Sequence, residues 1–500
     1  MAFLLVTLCC VFATLGSFLF GYDSGVISST LEQTAFLDRF NHPSDAATGG
    51  IVASYNGGAI LGSVFASYLS DPFGRRPVMF VGGILASLGA ALQAGAMTVA
   101  MLIAGRLIAG MAIGLMSSII PVYCSEVSPP RIRGFLGSMQ QWMIGLGVVV
   151  AQWTGYGCSL HHTGDFTWRF PLALQAVPSV ILVGGVWFLP ESPRWLIEKG
   201  RTEKGREVLA RLHLNRDHSN ADLIALEFAE ISESIAEEQR RSVRSWRQLL
   251  CTRATWRRRV LLACGLQAFT QCSGTNVIQN YNPGLYKTLG LKDPTPLMIQ
   301  GIWGALAQFW NCVFMLFIDR VPRRRLLIPS LLGMGITMCV EAALAQANDG
   351  FSDPSTNPNA VRAAIAMFFV FSFFFTSVGL ISWIYQSEIF PTAIRARGSS
   401  LATATNWSLN LVFAQCSPIA RTSIGFNYFY CFFAFNWAAA VIVWAFYPET
   451  AGKTLEEVEQ VFSSEPQESR LNIAPSNAEG DWTSKGGYRS EDFTLVAPKN

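Results

Sequence analysis

Apolar runs of about twenty residues recur along the whole chain, and no other feature constrains its fold so tightly. Lipid offers no partner to backbone N–H and C=O groups, so each run must cross as a helix that satisfies them internally. Twelve such runs can be counted, over 3–29, 49–69, 77–96, 100–123, 136–157, 170–190, 260–289, 296–318, 326–346, 361–387, 398–420 and 425–447. Composition agrees: 51% of residues are hydrophobic and 14% charged, where soluble proteins carry about 25% charged. The expected fold class is an all-α membrane protein embedded in the lipid bilayer, not a soluble enzyme. The net charge of +3 is too small to point to nucleic acid. Cys9, Cys10, Cys264, Cys312, Cys339 and Cys431 lie in apolar runs without metal-ligand spacing, which suggests small buried thiols.

The N-terminal run reads as the first span rather than as a signal peptide. Its first Lys or Arg is Arg39, and the run continues without a small-residue cleavage site. Basic residues cluster after spans two (Arg75, Arg76), four (Arg131, Arg133), eight (Arg320, Arg323, Arg324, Arg325) and ten (Arg395, Arg397), whereas the alternate loops are poor in them. The positive-inside rule therefore puts both termini in the cytoplasm. Residues 191–259 are too polar to enter the membrane and carry helical stretches such as Glu203–Leu212 and Ile224–Arg241. The organisation expected is a six-helix half over 1–190, a cytoplasmic helical linker over 191–259, a second half over 260–447 and a tail over 448–500. Beyond about 463 the tail is rich in Ser, Gly, Asn and acidic residues, a composition that favours disorder.

The halves repeat. Asp71-Pro72-Phe73-Gly74-Arg75-Arg76 follows span two, and Asp319-Arg320-Val321-Pro322-Arg323-Arg324 follows span eight. Tyr123, Glu126, Arg133 and Gly134 recur as Tyr385, Glu388, Arg395 and Gly398, and Pro190-Glu191-Ser192 recurs as Pro448-Glu449-Thr450. Duplicated six-helix halves related by an axis along the membrane normal are a transporter pattern, with solute bound between them near the midplane. A transporter exposes its site to each side in turn. Matched acids and bases at the cytoplasmic helix ends (Arg75, Glu126 and Arg133; Arg323, Glu388 and Arg395) suit a gate that is closed in one state and open in the other. Topology-fixing charges alone would need no acids.

Polar groups within the spans mark the chemistry. Asp23, in Phe20-Gly21-Tyr22-Asp23-Ser24-Gly25, lies in span one, where a carboxylate costs from roughly 2.5 kcal/mol upward and so implies a partner. Gly21 and Gly25 beside it allow close helix contact. Arg106 is a second buried charge, in span four. Burial disfavours an ionised carboxyl and a nearby guanidinium favours it, so movement of Arg106 would make Asp23 easier to protonate. Amides are also concentrated in spans: Gln140, Gln141 and Gln152 in five; Gln267, Gln271, Asn276, Gln279 and Asn280 in seven; Asn406 and Asn410, beside Trp407, in eleven. Trp383 stands in span ten. Amides both donate and accept, and aromatic faces cover C–H surface, which suits a sugar or polyol. The alternative for any one amide is an interhelical hydrogen bond, worth about 0.6 kcal/mol on average.

The chain resembles the sugar porter family of the major facilitator superfamily from about residue 15 to 462. The resemblance rests on Gly21 to Val26, Asp71 to Arg76, Gly105-Arg106-Leu107-Ile108-Ala109-Gly110, Glu126 to Gly134, Pro190-Glu191-Ser192-Pro193-Arg194-Trp195-Leu196 and Pro448-Glu449-Thr450-Ala451-Gly452-Lys453 with Thr454 to Glu457, in order. It implies twelve transmembrane helices in two pseudo-symmetric halves with an intracellular helical domain. It places Gln141, Gln271, Asn276, Trp383 and Asn410 at sugar-contacting positions and Trp407 on the path. It also pairs Asp23 with Arg106 near the external side, the Asp taking the proton in proton-coupled members. The six gate residues above correspond to the family's cytoplasmic gate network. Departures point to a reshaped site: Thr270 stands where Gln is usual, Ala307 (beside Gln308) where Asn is usual, Asn280 where an aromatic is usual, and Pro322 where Gly is usual.

The function implied is proton-coupled transport of a sugar-like solute by alternating access, the candidates being a hexose, a disaccharide, a polyol or a quinate-like acid. A sugar sensor on the same fold and a proton-independent facilitator are the alternatives. The roughly fifty-residue tail is short for the first, and Asp23 disfavours the second. No phosphate-binding P-loop occurs, so ATP is not the energy source, and no cofactor or metal is implied. A monomer in a plasma membrane is expected from the resemblance.

Overall fold

The computed structural model describes residues 2–129, 133–161, 164–213, 221–241, 254–318, 320–348, 351, 357–390, 392–450 and 462. The apolar runs become long helices, with no strand among the described residues. Span one is Leu4–Thr30. Spans two to five are Asp45–Phe73, Arg75–Ala94, Val99–Val127 and Arg133–His161. Span six is Phe166–Phe188. Span seven runs as Ala254–Cys272 and Thr275–Thr288, and spans eight to twelve are Thr295–Phe317, Arg323–Ala347, Pro358–Ile389, Thr392–Ile424 and Tyr428–Phe446.

Among the described residues, eight stretches are apolar and long enough to cross a membrane on composition alone, the last of them, Arg397–Phe446, containing most of span eleven and all of span twelve. Spans two, seven and eight fall outside that set. The amides Asn56, Gln267, Gln271, Asn276, Gln300 and Asn311 on these spans are buried, so they face protein rather than lipid. The outward surface is apolar instead: Phe65 and Tyr68 on span two, Val180 and Ile181 on span six, and Val441 and Trp444 on span twelve are exposed, as a lipid-facing belt requires.

Small residues let helices of one half approach closely. A Cβ on Gly21 would lie 1.8 Å from the Ile144 carbonyl oxygen of span five, so only glycine allows this crossing. Span seven breaks at Gly274, whose φ of +95° suits glycine. The break separates Gln271 from Asn276 without taking either out of the core. Between the halves, Pro193–Glu198, Thr202–His213 and Ala221–Arg241 form helices at the polar linker, and the helix of span seven begins at Ala254. The described cysteines are free. The tail beyond 450, except Phe462, lies outside the described residues.

Candidate solute, proton and gate sites

The two cytoplasmic clusters share one construction, built on helix N-termini whose first N–H groups lack intrahelical partners. In the first half the Glu191 carboxylate accepts from the backbone N–H of Arg75 (3.1 Å) and Arg76 (3.3 Å), capping span three. In the second, Glu449 accepts from Arg323 (2.8 Å) and Arg324 (3.0 Å), capping span nine. A carboxylate there also meets the positive end of the helix dipole. The capped arginines turn to the acids of the neighbouring spans. Arg75 grips Glu126 with two prongs, Nε to Oε2 at 2.8 Å and Nη2 to Oε1 at 2.7 Å. Arg323 Nη2 donates to Glu388 Oε1 at 3.0 Å, and Glu388 Oε2 accepts from Thr450 Oγ1 at 2.6 Å. Tyr123 donates to the Pro190 carbonyl and Tyr385 to that of Pro448. Arg76 reaches the Trp187 carbonyl, and Arg324 that of Trp444. Each of these bonds stays within its own half or its flanking Pro-Glu motif. The side chains of Arg133 and Arg395 lie outside the described residues.

Asp23 and Arg106 meet. Arg106 Nη1 donates to Asp23 Oδ1 at 2.5 Å and to the Asp23 carbonyl at 3.0 Å, and the guanidinium lies over the Tyr55 ring, 4.4 Å from its centroid. Both side chains are essentially buried, at 5% and 1% exposure. A charge so buried persists only when paired, and this geometry supplies the pair with an aromatic face.

The amides divide into two groups. Asn276 Nδ2 donates to Gln271 Oε1 at 2.7 Å, and Asn280 Nδ2 to Asn276 Oδ1 at 3.4 Å, so span seven carries a small amide cluster across its break. Asn410 Oδ1 accepts from Asn56 Nδ2 at 2.9 Å, joining spans two and eleven across the halves. Trp407 is buried, 5.5 Å from the Phe20 ring. Gln267 is different. It bonds Gln386 (2.8 Å) and Asn406 (2.7 Å), and so serves helix contact. Thr270 turns its hydroxyl to the Leu266 carbonyl. Gln141 is half-buried on span five, and Trp383 is 40% exposed on span ten. No described hydrogen bond links either to the amide cluster.

Sequence reasoning missed the contacts between halves. At the outer ends, Lys287 of span seven donates to the Glu32 carbonyl at 2.6 Å and lies 3.7 Å from its carboxylate. Gln415 Nε2 donates to the Ala46 carbonyl at 3.1 Å. On the seam of spans five and eight, Gln308 packs on Gly145 and donates to the Trp142 carbonyl, while Gln152 packs on Gly304. The isolated Glu-to-Lys pairing had no local signal, but the small residues facing amides on spans five and eight were visible.

This arrangement has known counterparts. The family model for sugar (and other) transporters matches residues 9–462. The chain is 37% identical over 460 residues to the MFS-type transporter criB of Aspergillus cristatus, covering 92% of this chain and 93% of that one. It is 34% identical to a high-affinity glucose transporter of Kluyveromyces lactis, covering 90% and 84%. Among solved structures it resembles the inward-open xylose transporter XylE from E. coli, with a TM-score of 0.75, 26% identity and coverage of 92% and 100%. The proton:xylose symporter XylE bound to 6-bromo-6-deoxy-D-glucose gives a TM-score of 0.73 at 27% identity, with coverage of 92% and 99%. The twelve-helix, two-half fold is thereby that of the major facilitator superfamily. The chain belongs to its sugar transporter family, and is a multi-pass membrane transporter rather than an enzyme.

Proposed function

We propose that the protein carries a sugar-like solute across the membrane together with a proton, by alternating access. The observation that carries this reading is the Asp23–Arg106 pair, buried in the first half at 2.5 Å. Relatives named as glucose transporters and a structural neighbour named as a proton:xylose symporter support the solute class and the coupling ion. In the mechanism, Arg106 pairs with Asp23 in the state described and opposes its protonation. When solute binding draws the guanidinium away, Asp23 takes a proton from water and crosses as a neutral acid, which avoids the cost of moving a charge through the hydrocarbon.

The solute binds between the halves. Gln271 and Asn276, opposite ends of the break in span seven, offer amides; Asn410 reaches the first half through Asn56; Trp407, Trp383 and Gln141 complete the surface. Thr270 and Ala307 shorten the surface where the family carries amides, which favours a solute other than plain glucose, such as a disaccharide, a polyol or a quinate-like acid. Arg75, Glu126 and Arg133 with Arg323, Glu388 and Arg395 form the cytoplasmic gate. The functional divisions are 1–190, 191–259, 260–447 and 448–500, with both termini cytoplasmic and the protein acting as a monomer in the plasma membrane.

The test is Asp23→Asn in proteoliposomes. The variant should lose pH-driven accumulation and keep solute exchange. Full accumulation by the variant refutes the proton assignment.

A further inference from the structure

We propose that Glu341, in span nine, is a second proton-binding site, in the half opposite Asp23. The inference goes beyond the coupling reading and does not need Asp23 to be the carrier. Glu341 is fully buried, and neither carboxylate oxygen has a hydrogen-bond partner among the described residues. It lies on the core face of its helix with Leu331, Met334, Met338, Ala342 and Ala345.

Among the described residues no cation forms an ion pair with Glu341; Arg421 of span eleven lines the cavity that reaches Ala345, one turn outward. Span twelve, packed along span nine, has no Asp, Glu, Lys, Arg or His. Of the charged residues of span ten, Glu388 stands near the cytoplasmic end, and Arg362, near the outer end, is exposed rather than turned into the core. Arg325, the last of the basic cluster on span nine, is sixteen residues away, about 24 Å along the helix. The titratable group within electrostatic reach is Tyr286, on the outer segment of span seven, whose hydroxyl accepts from Asn282 Nδ2 at 3.0 Å. A carboxylate with no cation and no donor is far more costly to bury than the same group carrying a proton. The contrast with Asp23, which has Arg106 at 2.5 Å, is direct.

A path for the proton is also present. Glu341 is six residues from the outer end of its span at Ala347, about 9 Å of helix rise. Ala345, one turn outward on the same face, lines a cavity of about 330 Å³ with Gln346, Leu285, Phe429 and the cation Arg421. Leu285 precedes Tyr286, so this cavity brings the outer side to within about a turn of the carboxyl. Water there delivers the proton to the Glu341 carboxylate, giving a neutral acid, and accepts it again on release. Asp23 is seven residues from Thr30, about 10 Å deep, so the two carboxyls lie at similar depth in separate halves.

Infrared spectroscopy of the purified protein in nanodiscs tests this. A protonated-carboxyl C=O band should be present at neutral pH, disappear in Glu341→Gln, persist in Asp23→Asn, and be lost reversibly at alkaline pH. A spectrum unchanged by Glu341→Gln, or a band that no pH removes, overturns the proposal. If the variant does not fold, wild-type protein labelled with 13C-glutamate keeps the test: the band must shift with labelled glutamate and stay with labelled aspartate. Asp23→Asn that retains pH-driven accumulation would refute the coupling reading alone and leave this result standing.

Discussion

The duplicated arginine clamps differ in a way that gives a quantitative test. Arg75 holds Glu126 by two charge-assisted bonds, and the side chains are 10% and 8% exposed. Arg323 holds one Glu388 oxygen while Thr450 takes the other, and Glu388 is 27% exposed. Removing one partner of a buried pair costs about 3–5 kcal/mol, because a charge is left unpaired. Pairs open to solvent are worth about 0–1 kcal/mol. The first clamp lies near the buried limit and the second between the two. A double-mutant cycle with Arg75→Gln and Glu126→Gln should therefore give a coupling of about 2–3 kcal/mol, near the upper range for contacting residues. The Arg323→Gln and Glu388→Gln cycle should give about 1 kcal/mol, with Thr450 partly rescuing the acid. Denaturation of the purified protein in detergent gives the four stabilities of each cycle, and solute exchange shows whether the loss falls on folding or on transport. A second-half coupling equal to or larger than the first, or a first-half coupling below about 0.5 kcal/mol, would contradict this difference between the clamps.

Gly21→Ala should destabilise the first half by about 1–3 kcal/mol or more, since its Cβ would meet span-five backbone that cannot rotate aside; an unchanged melting temperature contradicts this. Asn276→Ala removes its bond to Gln271 and a ligand amide, and should weaken solute binding about fivefold, for roughly 1 kcal/mol, measured by calorimetry; unchanged affinity removes Asn276 from the site. At the outer mouth, burial raises the Glu32 carboxyl above its ordinary range, and Lys287 and Arg421 only partly oppose it. The closed mouth thus binds the proton more tightly than an open, solvated one, so closure is strongest at low pH and weakens as pH rises through the raised value. External thiol labelling of a reporter cysteine should show this trend in wild type and its absence in Glu32→Gln; tighter closure at higher pH in wild type would contradict it.

How much could be read in advance depends on whether a partner lies in the same repeat. Arg75, Glu126 and Glu191 recur as Arg323, Glu388 and Glu449, and the paired motifs announce a shared geometry before any coordinates. Asp23 and Arg106 are legible for another reason: an isolated charge in lipid demands a partner, and few candidates exist. The amides are legible as a class but not in role. Gln267 and Gln271 are four residues apart, yet one bonds span ten and the other bonds Asn276 across the break. Whether Asn276 comes to meet Gln271 depends on the turn at Gly274, and a glycine alone does not announce a positive φ.

Contacts between halves are the least legible, because they depend on the state as well as the fold. Glu32–Lys287, Gln415–Ala46 and Asn56–Asn410 join the halves at the outer end and towards the middle. Arg75–Glu126 and Arg323–Glu388 each stay within a half. The asymmetry has a mechanical consequence. Rocking of the halves must break the outer contacts, which are single bonds or a partly exposed pair, each worth about 1 kcal/mol. It can leave the stronger intra-half clamps intact. Strong bonds thus keep each half rigid while weak ones choose the state, so a bound solute needs only a few kcal/mol of differential affinity to move the equilibrium. On this argument, substitutions at the outer seam should change the balance of states with little loss of stability, whereas substitutions in the clamps, which also belong to the proposed cytoplasmic gate, should lower stability as well.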